Sequence, residues 1–234
     1  MAETSGGTFA DKYLTPLAVL VGLILIAVAI AFGGKGIADN REGAPQGGAV
    51  DIQNVQTDAS PYVGEENAPV VIAVWFDYQC PFCKRFELET LSRIYDEYVT
   101  NGQVRIVYKD YQFLGPDSAT AALYARAVWE AYPDRFYEWF VAMAEAQDEE
   151  HGGFGDLASI TELTKNLGGM DTDRISRLMS ENKSEYEAAI TADRAEGASF
   201  GINGTPGAIV GTSLIAGAQP YEKVKALVDA ELAK

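Results

Sequence analysis

The feature that most constrains this chain is a pair of cysteines separated by two residues, in the segment Cys80-Pro81-Phe82-Cys83. The chain of 234 residues has no other cysteine, so a framework of structural disulfides is excluded. An apolar run at residues 70–76 precedes the pair, and a pattern typical of a helix follows it to about residue 99. A strand that leads a C-x-x-C motif into the first turn of a helix is typical of a redox-active dithiol.

Composition narrows the class of protein further. The net charge of −16 and the lack of a basic stripe argue against nucleic-acid binding. Apolar residues make up 47% of the chain, enough for a sizeable core without disulfides. The length predicts one domain of ordinary size with an additional segment.

The additional segment is predicted at the N-terminus, after a short polar tail at residues 1–12. Residues 14–32 carry no charge, and a helix of that length spans about 28 Å, close to the ~30 Å of bilayer hydrocarbon. We therefore predict a transmembrane anchor at residues 13–33. A cleaved signal peptide is the alternative, but its apolar region is about 7–15 residues long. The charges on the two sides do not fix the orientation.

The Gly-rich residues 34–60 predict a flexible linker, with an edge strand at 50–56. Residues 61–234 then form an α/β domain, in which a helical insertion at about residues 116–203 interrupts a pattern of strands and helices. Strands are predicted at 70–76, 104–109, 207–210 and 213–216. Helices are predicted at 84–99, 117–131, 134–147, 157–167, 172–181, 184–199 and 221–233.

The position of Cys80 at a helix start predicts its chemistry. Unpaired backbone N–H groups and the helix dipole favour the thiolate there, which lowers the pKa of the thiol. Pro81 suits the first helical position, since its φ is already helical and it has no N–H. Cys83 lies one turn along on the same face, where it can attack a mixed disulfide held on Cys80.

Two other interpretations of the cysteines are weaker. Two buried cysteines without chemistry are disfavoured by the proline between them at a strand-to-helix junction. A metal site needs about four ligands, and the only histidine is His151, in a Gly-rich segment. We expect no metal and no bound cofactor.

Three segments carry a resemblance to a known family: residues 64–70 (GEENAPV), 76–83 (FDYQCPFC) and 201–206 (GINGTP). They resemble the DsbA-like branch of the thioredoxin superfamily, especially its membrane-tethered bacterial thiol:disulfide oxidoreductases. The resemblance covers about residue 65 to the C-terminus. It implies a thioredoxin fold with a helical insertion, here preceded by one N-terminal transmembrane helix. It also implies that Cys80 is the attacking cysteine, that Cys83 resolves, and that Pro206 is a cis-proline facing both.

Three residues are predicted to bind substrate. The backbone of Thr205, before the implied cis-proline, is free to pair with an extended polypeptide. Tyr78 and Phe82 flank the cysteines and are predicted to form an apolar rim for unfolded chains.

Two positions depart from the family pattern. The family commonly has a buried acid six residues before the first cysteine, where this chain has Val74. Asp77 is then either a substitute in proton transfer or a turn residue. Phe82 stands where the enteric oxidant of the family has histidine, which leaves the net direction of the redox reaction open.

The predicted function is a thiol:disulfide oxidoreductase anchored in the cell membrane by a single span, with its catalytic domain outside the cytoplasm. It would oxidise cysteines of exported proteins, and the resemblance implies re-oxidation by a quinone-linked membrane partner of the DsbB or VKOR kind. A disulfide reductase or isomerase with the same site is one alternative. A non-catalytic tethered binding or holdase module is the alternative of another class.

Overall fold

The structure is a computed structural model that describes residues 50–149 and 152–234. The predicted tail, the predicted membrane anchor and residues 34–49 of the predicted linker lie outside the described residues, and so does His151. Across the described ranges, no helix combines the length and the apolar character that a bilayer crossing requires.

A five-stranded sheet forms the centre of the domain, in the order β1-β3-β2-β4-β5. Strands β2 and β3 are parallel, and the other neighbours are antiparallel. The central strand β2 is apolar along its whole length because helices cover both of its faces, and Ile72, Ala73 and Val74 are fully buried. The strands are β1 (Tyr62–Val63), β2 (Val70–Phe76), β3 (Val104–Asp110), β4 (Gly207–Val210) and β5 (Ser213–Ala216).

The helix that follows β2, here called the dithiol helix α1, alternates between two geometries. Pro81–Phe86 and Ser92–Ile94 are α-helical, whereas Glu87–Leu91 and Tyr95–Val99 are π-helical turns. The other helices are α2 (Pro116–Ala131), α3 (Phe136–Ala146), α4 (Leu157–Leu167), α5 (Thr172–Glu181), α6 (Lys183–Ser199) and α7 (Tyr221–Leu232). The predicted α/β architecture is therefore confirmed, with α2 to α6 lying between β3 and β4.

The predicted edge strand at residues 50–56 is wrong. Asp51 accepts a hydrogen bond from the backbone N–H of Gln53, which starts a 3₁₀ turn at Ile52–Asn54. The N–H of Ile52 bonds to the carbonyl of Gly211 at 2.8 Å. The edge of the sheet on the β3 side is instead the two-residue strand β1.

The predicted linker also ends earlier than residue 60. The ammonium of Lys109 donates to the carbonyl of Gln56 at 2.7 Å and to the hydroxyl of Ser60 at 3.1 Å. The guanidinium of Arg126 donates to the carbonyl of Ala59 at 3.1 Å. Residues 56–60 are therefore bound to the domain by two buried cations, which composition alone does not reveal.

Buried ion pairs hold the insertion against the sheet. Arg126 of α2 lies 2.6 Å from Asp110 of β3 and 2.7 Å from Asp193 of α6. Asp193 also pairs with Lys109 at 2.5 Å, and its carbonyl accepts from the indole N–H of Trp75 at 2.8 Å. Removing one partner would leave an uncompensated buried charge. This network therefore fixes the insertion relative to β2, which leads into the dithiol helix, and relative to β3.

Candidate active site

Cys80 occupies the N-cap position of the dithiol helix, as predicted. Its backbone is extended, with φ −82° and ψ 118°, and Pro81 follows at the first helical position. Its carbonyl accepts hydrogen bonds from the N–H groups of Cys83 at 3.0 Å and Lys84 at 3.1 Å. Cys80 therefore lies at the positive end of the helix dipole.

The surroundings of Cys80 favour its thiolate. A hydrogen bond from the thiol of Cys83, followed by the backbone N–H groups of Cys83 and Phe82, lowers the pKa of Cys80 to about 6. Burial opposes this shift but does not outweigh it. A thiolate present at neutral pH is both a nucleophile and a good leaving group.

Cys83 has the opposite environment. It is fully buried in the hydrophobic core. Burial, together with the neighbouring Cys80, raises its pKa well above the usual value for a thiol. The pair therefore divides into one sulfur whose thiolate is stabilised at the helix start, although Cys80 is only 4% exposed, and one sulfur that keeps its proton in the core. This division suits an attacking and a resolving role.

The segment 201–206, here called the proline loop, faces the first cysteine. The peptide bond between Thr205 and Pro206 is cis, as the resemblance implies. The sulfur of Cys80 lies 3.4 Å from the carbonyl oxygen of Thr205. The hydroxyl oxygen of Thr205 is buried without a hydrogen-bond partner among the described residues.

The structure separates the two predicted rim residues. Phe82 is 54% exposed, with the guanidinium carbon of Arg85 5.1 Å from its ring centre. Tyr78, by contrast, is only 7% exposed, so its predicted place on the rim is wrong. Its ring packs against Trp139 and Phe140 of α3, with centroids 6.2 and 5.7 Å apart. The insertion supplies the aromatic cluster that draws Tyr78 inward.

Asp77 is a turn residue rather than a free acid beside the sulfurs. Its buried carboxylate accepts hydrogen bonds from the N–H of Gln79 at 2.9 Å and from the hydroxyl of Ser118. It also accepts from the N–H groups of Phe113 at 2.9 Å and Leu114 at 3.3 Å. These four donors occupy the carboxylate, so its role is to fix the turn before Cys80 and the loop after β3.

A buried acid that sequence reasoning missed lies on the dithiol helix. Glu87 is fully buried, four residues beyond Cys83, and the hydroxyl of Tyr108 lies 3.4 Å from it. Burial raises the pKa of Glu87 to about 8. The signal available in the sequence was its spacing, since residues four apart share a helix face. The strand position where the family has an acid is occupied by the fully buried Val74.

Four large apolar side chains are exposed among residues 50–149 and 152–234, and we call them the apolar collar. Phe82 is in the motif itself, and the backbone N–H of Phe113 donates to Asp77 in the turn before Cys80. Leu214 lines a cavity of about 310 Å³ together with Thr205 and Pro206. Leu157 begins α4 and lines a surface cavity with residues of that helix. The members are Phe82, Phe113, Leu157 and Leu214.

Comparison with known sequences gives a consistent result. The sequence profile of the family described as Thioredoxin matches residues 56–230. Disulfide bond formation protein D of Bacillus subtilis is 27% identical over 180 residues, which cover 74% of this chain and 77% of that protein. Probable disulfide bond formation protein D of Bacillus cereus is 24% identical over 175 residues, covering 74% of this chain and 78% of that protein.

Solved structures share the fold. Oxidised BdbD from Bacillus subtilis superposes with a TM-score of 0.69 at 23% identity, covering 76% of this chain and 96% of that one. The thiol-disulfide exchange protein α-DsbA2 from Wolbachia pipientis has a TM-score of 0.65 at 27% identity, covering 73% and 86%. The catalytic domain of Proteus mirabilis ScsC has a TM-score of 0.63 at 27% identity, covering 75% and 90%.

Proposed function

Because this chain belongs to the thioredoxin family and is a protein thiol:disulfide oxidoreductase, we propose that Cys80 and Cys83 form its redox pair and oxidise cysteines of exported proteins. The observation that carries this proposal is the sulfur of Cys80 at the start of the dithiol helix, 3.4 Å from the carbonyl of Thr205. The helix start stabilises the thiolate of Cys80, and the contact with Thr205 places the sulfur beside the proline loop.

The proposed reaction proceeds in two exchanges. A substrate thiolate attacks the sulfur of Cys80 in the Cys80–Cys83 disulfide, and the electron pair of the broken S–S bond goes to Cys83, which takes up a proton. A second substrate thiolate then attacks the substrate sulfur of the mixed disulfide and releases Cys80 as a thiolate. Two electrons pass to the enzyme, the substrate gains one disulfide, and one proton is left in solution.

The asymmetry of the pair favours this direction. In the second exchange Cys80 is the leaving group, and a thiol of low pKa leaves faster. The reduced form is stabilised because the thiolate of Cys80 has hydrogen-bond donors and Cys83 keeps its proton in an apolar site. A dithiol whose reduced form is stabilised is the stronger oxidant.

The substrate we propose is an unfolded polypeptide in extended conformation. Such a chain would find exposed apolar side chains at Phe82 in the motif and at Leu214 beside Thr205 and Pro206. The backbone beside Thr205 gives it a partner for strand-like hydrogen bonds. Phe82 and Thr205 remain the proposed substrate-binding residues, and Phe113, Leu157 and Leu214 join them.

Membrane anchoring is part of the proposal and is supported by the uncharged run at residues 14–32. With that anchor, the catalytic domain works on the extracytoplasmic side, where disulfides persist. Each turnover leaves the enzyme reduced, so a quinone-linked membrane re-oxidase of the DsbB or VKOR kind is the proposed partner.

The test is the reduction potential of the protein, measured with glutathione buffers, together with the oxidation of a two-cysteine peptide. We expect a potential above about −200 mV, on the side of known oxidants, and peptide oxidation that Cys80→Ser abolishes. A potential near about −270 mV, as in reductants, would reverse the proposed direction. Peptide oxidation that survives in Cys80→Ser would remove the proposed site.

A further inference from the structure

A cavity of about 600 Å³ opens where β1 meets the end of α2, the start of α3 and the last turn of the dithiol helix; we call it the aromatic cavity. Its volume is in the range of pockets that hold small molecules. Neither the cysteines nor the proline loop line it, so the proposed redox reaction gives it no role. Its lining includes four aromatic and two acidic side chains: Tyr62, Tyr95, Trp129, Tyr137, Glu130 and Asp134.

The aromatic side chains of the cavity form two pairs. The ring centroids of Tyr62 and Trp129 are 4.9 Å apart, and those of Tyr95 and Tyr137 are 3.7 Å apart in a stacked arrangement. All four side chains are half-buried, so part of each remains open to a ligand. The face of an aromatic ring carries the negative part of its quadrupole, and a cation within about 6 Å of the ring centre is attracted to it.

Most of these ring faces have no cation of the protein over them. Among the described residues, no Lys or Arg side chain lies over the ring of Tyr95, Trp129 or Tyr137. The guanidinium carbon of Arg105 lies 5.2 Å from the ring centre of Tyr62, but Arg105 is not part of the cavity lining. The cavity therefore offers ring faces that a bound cation can use.

The two carboxylates give the cavity a negative charge. Glu130 accepts hydrogen bonds from the amide of Asn182 at 3.0 Å and from the hydroxyl of Tyr186 at 2.5 Å, and both donors are neutral. Within residues 50–149 and 152–234, neither Glu130 nor Asp134 forms an ion pair. The remaining lining residues are uncharged, so the charge of the cavity is complementary to a cation.

The supply of hydrogen-bond acceptors favours one kind of cation. Asn182 and Tyr186 already occupy the carboxylate of Glu130, and ring faces are weak acceptors. A primary ammonium has three N–H donors, and it is costly to take them out of water without acceptors. A quaternary ammonium has no N–H, and its methyl groups can pack on the rings.

We propose that the aromatic cavity binds a small organic cation that carries a quaternary ammonium group. The rings of Tyr62 and Trp129 contact its methyl groups, while Glu130 and Asp134 balance its charge. This binding site goes beyond the proposed function, because it uses neither cysteine and no residue proposed to bind the polypeptide substrate.

The experiment is a titration of the full chain with choline chloride, read out by tryptophan fluorescence against sodium chloride at the same ionic strength. Of the three tryptophans, Trp129 is half-buried, whereas Trp75 and Trp139 are fully buried, so Trp129 reports on the cavity. We expect a saturable change. The neutral analogue of choline, in which carbon replaces nitrogen, should bind at least about tenfold more weakly, because it has no charge for the rings and carboxylates to attract.

Two variants locate the binding, and both keep Trp129 as the reporter. Glu130→Gln preserves the shape of the side chain but removes its charge, and should weaken choline binding about threefold. Tyr62→Leu removes the ring beside Trp129 and should weaken it about threefold to fivefold. The matched control is Asp173→Asn, which removes an exposed carboxylate outside the cavity and should leave the affinity unchanged.

Three results would overturn the proposal. The first is the lack of a saturable change with choline. The second is equal affinity for the neutral analogue, which would make the cavity an apolar site without preference for charge. The third is unchanged affinity in both Glu130→Gln and Tyr62→Leu, which would place the bound choline elsewhere on the chain. None of these results depends on the oxidation of peptides, so the proposed function is tested separately.

Discussion

The first turn of the dithiol helix and the turn that follows it provide opposite environments for ionisable groups. In the first turn, the thiol of Cys83 and the backbone N–H groups of Cys83 and Phe82 lower the pKa of Cys80. In the next turn, Cys83 and Glu87 face the hydrophobic core, which raises the pKa of both groups. Only two residues separate Cys80 from Cys83, so the helix changes from stabilising an anion to excluding one within a single turn.

This difference teaches that the motif alone does not set the chemistry of each sulfur. The helix start supplies hydrogen-bond donors, and the packing of the insertion supplies the dry core behind it. The oxidant role needs both, because a thiolate in front and a protonated thiol behind stabilise the reduced form together.

The largest expected effect comes from replacing each cysteine in turn. Cys80→Ser should abolish peptide oxidation, with a loss of roughly a thousandfold or more, because the attacked sulfur is gone. In Cys83→Ser, the thiolate of Cys80 should attack the disulfide of an oxidised peptide, release one peptide sulfur as a thiolate and keep the other in a mixed disulfide, since no resolving thiol remains. Mass spectrometry after incubation with a disulfide-bonded peptide checks this, and a stable adduct on Cys83 in the Cys80→Ser protein would contradict the assigned roles.

The reactivity of Cys80 should depend on pH almost as strongly. Its pKa is lowered to about 6, so the thiolate is present above that value and is lost as the pH falls through it. We expect the alkylation rate of the reduced protein to be flat above about pH 7 and to drop about tenfold per unit below pH 5. A midpoint near pH 9, the usual value for a thiol, would show that the helix start does not stabilise the thiolate.

Glu87→Gln tests the second turn through stability. The pKa of Glu87 is raised to about 8, so its favourable contribution is complete below the unfolded-state pKa and is lost as the pH rises through about 8. Between pH 4 and pH 9, ionisation of Glu87 should lower the unfolding free energy of the wild type by up to about 5 kcal/mol. The glutamine variant should not show this loss.

Urea denaturation across that pH range measures the difference for Glu87→Gln. The exposed Glu89 on the same helix provides the matched control as Glu89→Gln. If the unfolding free energy varies with pH in the same way in the wild type and in Glu87→Gln, the second turn is accessible to water.

Phe82→Ser should have the smallest effect of these changes. It tests whether the exposed side of the first helical turn binds substrate. We expect kcat/KM for a two-cysteine peptide to fall about threefold to tenfold, because an apolar contact is worth roughly 1 kcal/mol. The rate with dithiothreitol, which is too small to reach the apolar collar, should stay the same. Equal losses with both substrates would place Phe82 in the chemistry of the dithiol rather than in substrate binding.

Local patterns predicted most of the fold. Strands Gly207–Val210 and Ser213–Ala216 and helices Leu157–Leu167 and Thr172–Glu181 have the predicted bounds, since periodicity and end signals are properties of neighbouring residues. The position of Cys80 at a helix start was predictable for the same reason.

Contacts between distant segments were not predictable in this way. The rim position of Tyr78 failed because its burial depends on aromatic rings from α3, about sixty residues away. The edge strand at residues 50–56 failed because Asp51 starts a 3₁₀ turn and Ile52 bonds to Gly211. In both cases a weak local preference was overridden by packing.

The sequence by itself determined that a C-x-x-C pair begins a helix after a buried strand, because strand, proline and helix are all encoded within a few residues. Only the tertiary structure decided how deeply Cys83 is buried, where the proline loop lies and which apolar side chains are exposed. The physical reason is that burial and hydrogen bonding are set by partners far along the chain, such as Tyr111 and Ile202, which are 91 residues apart.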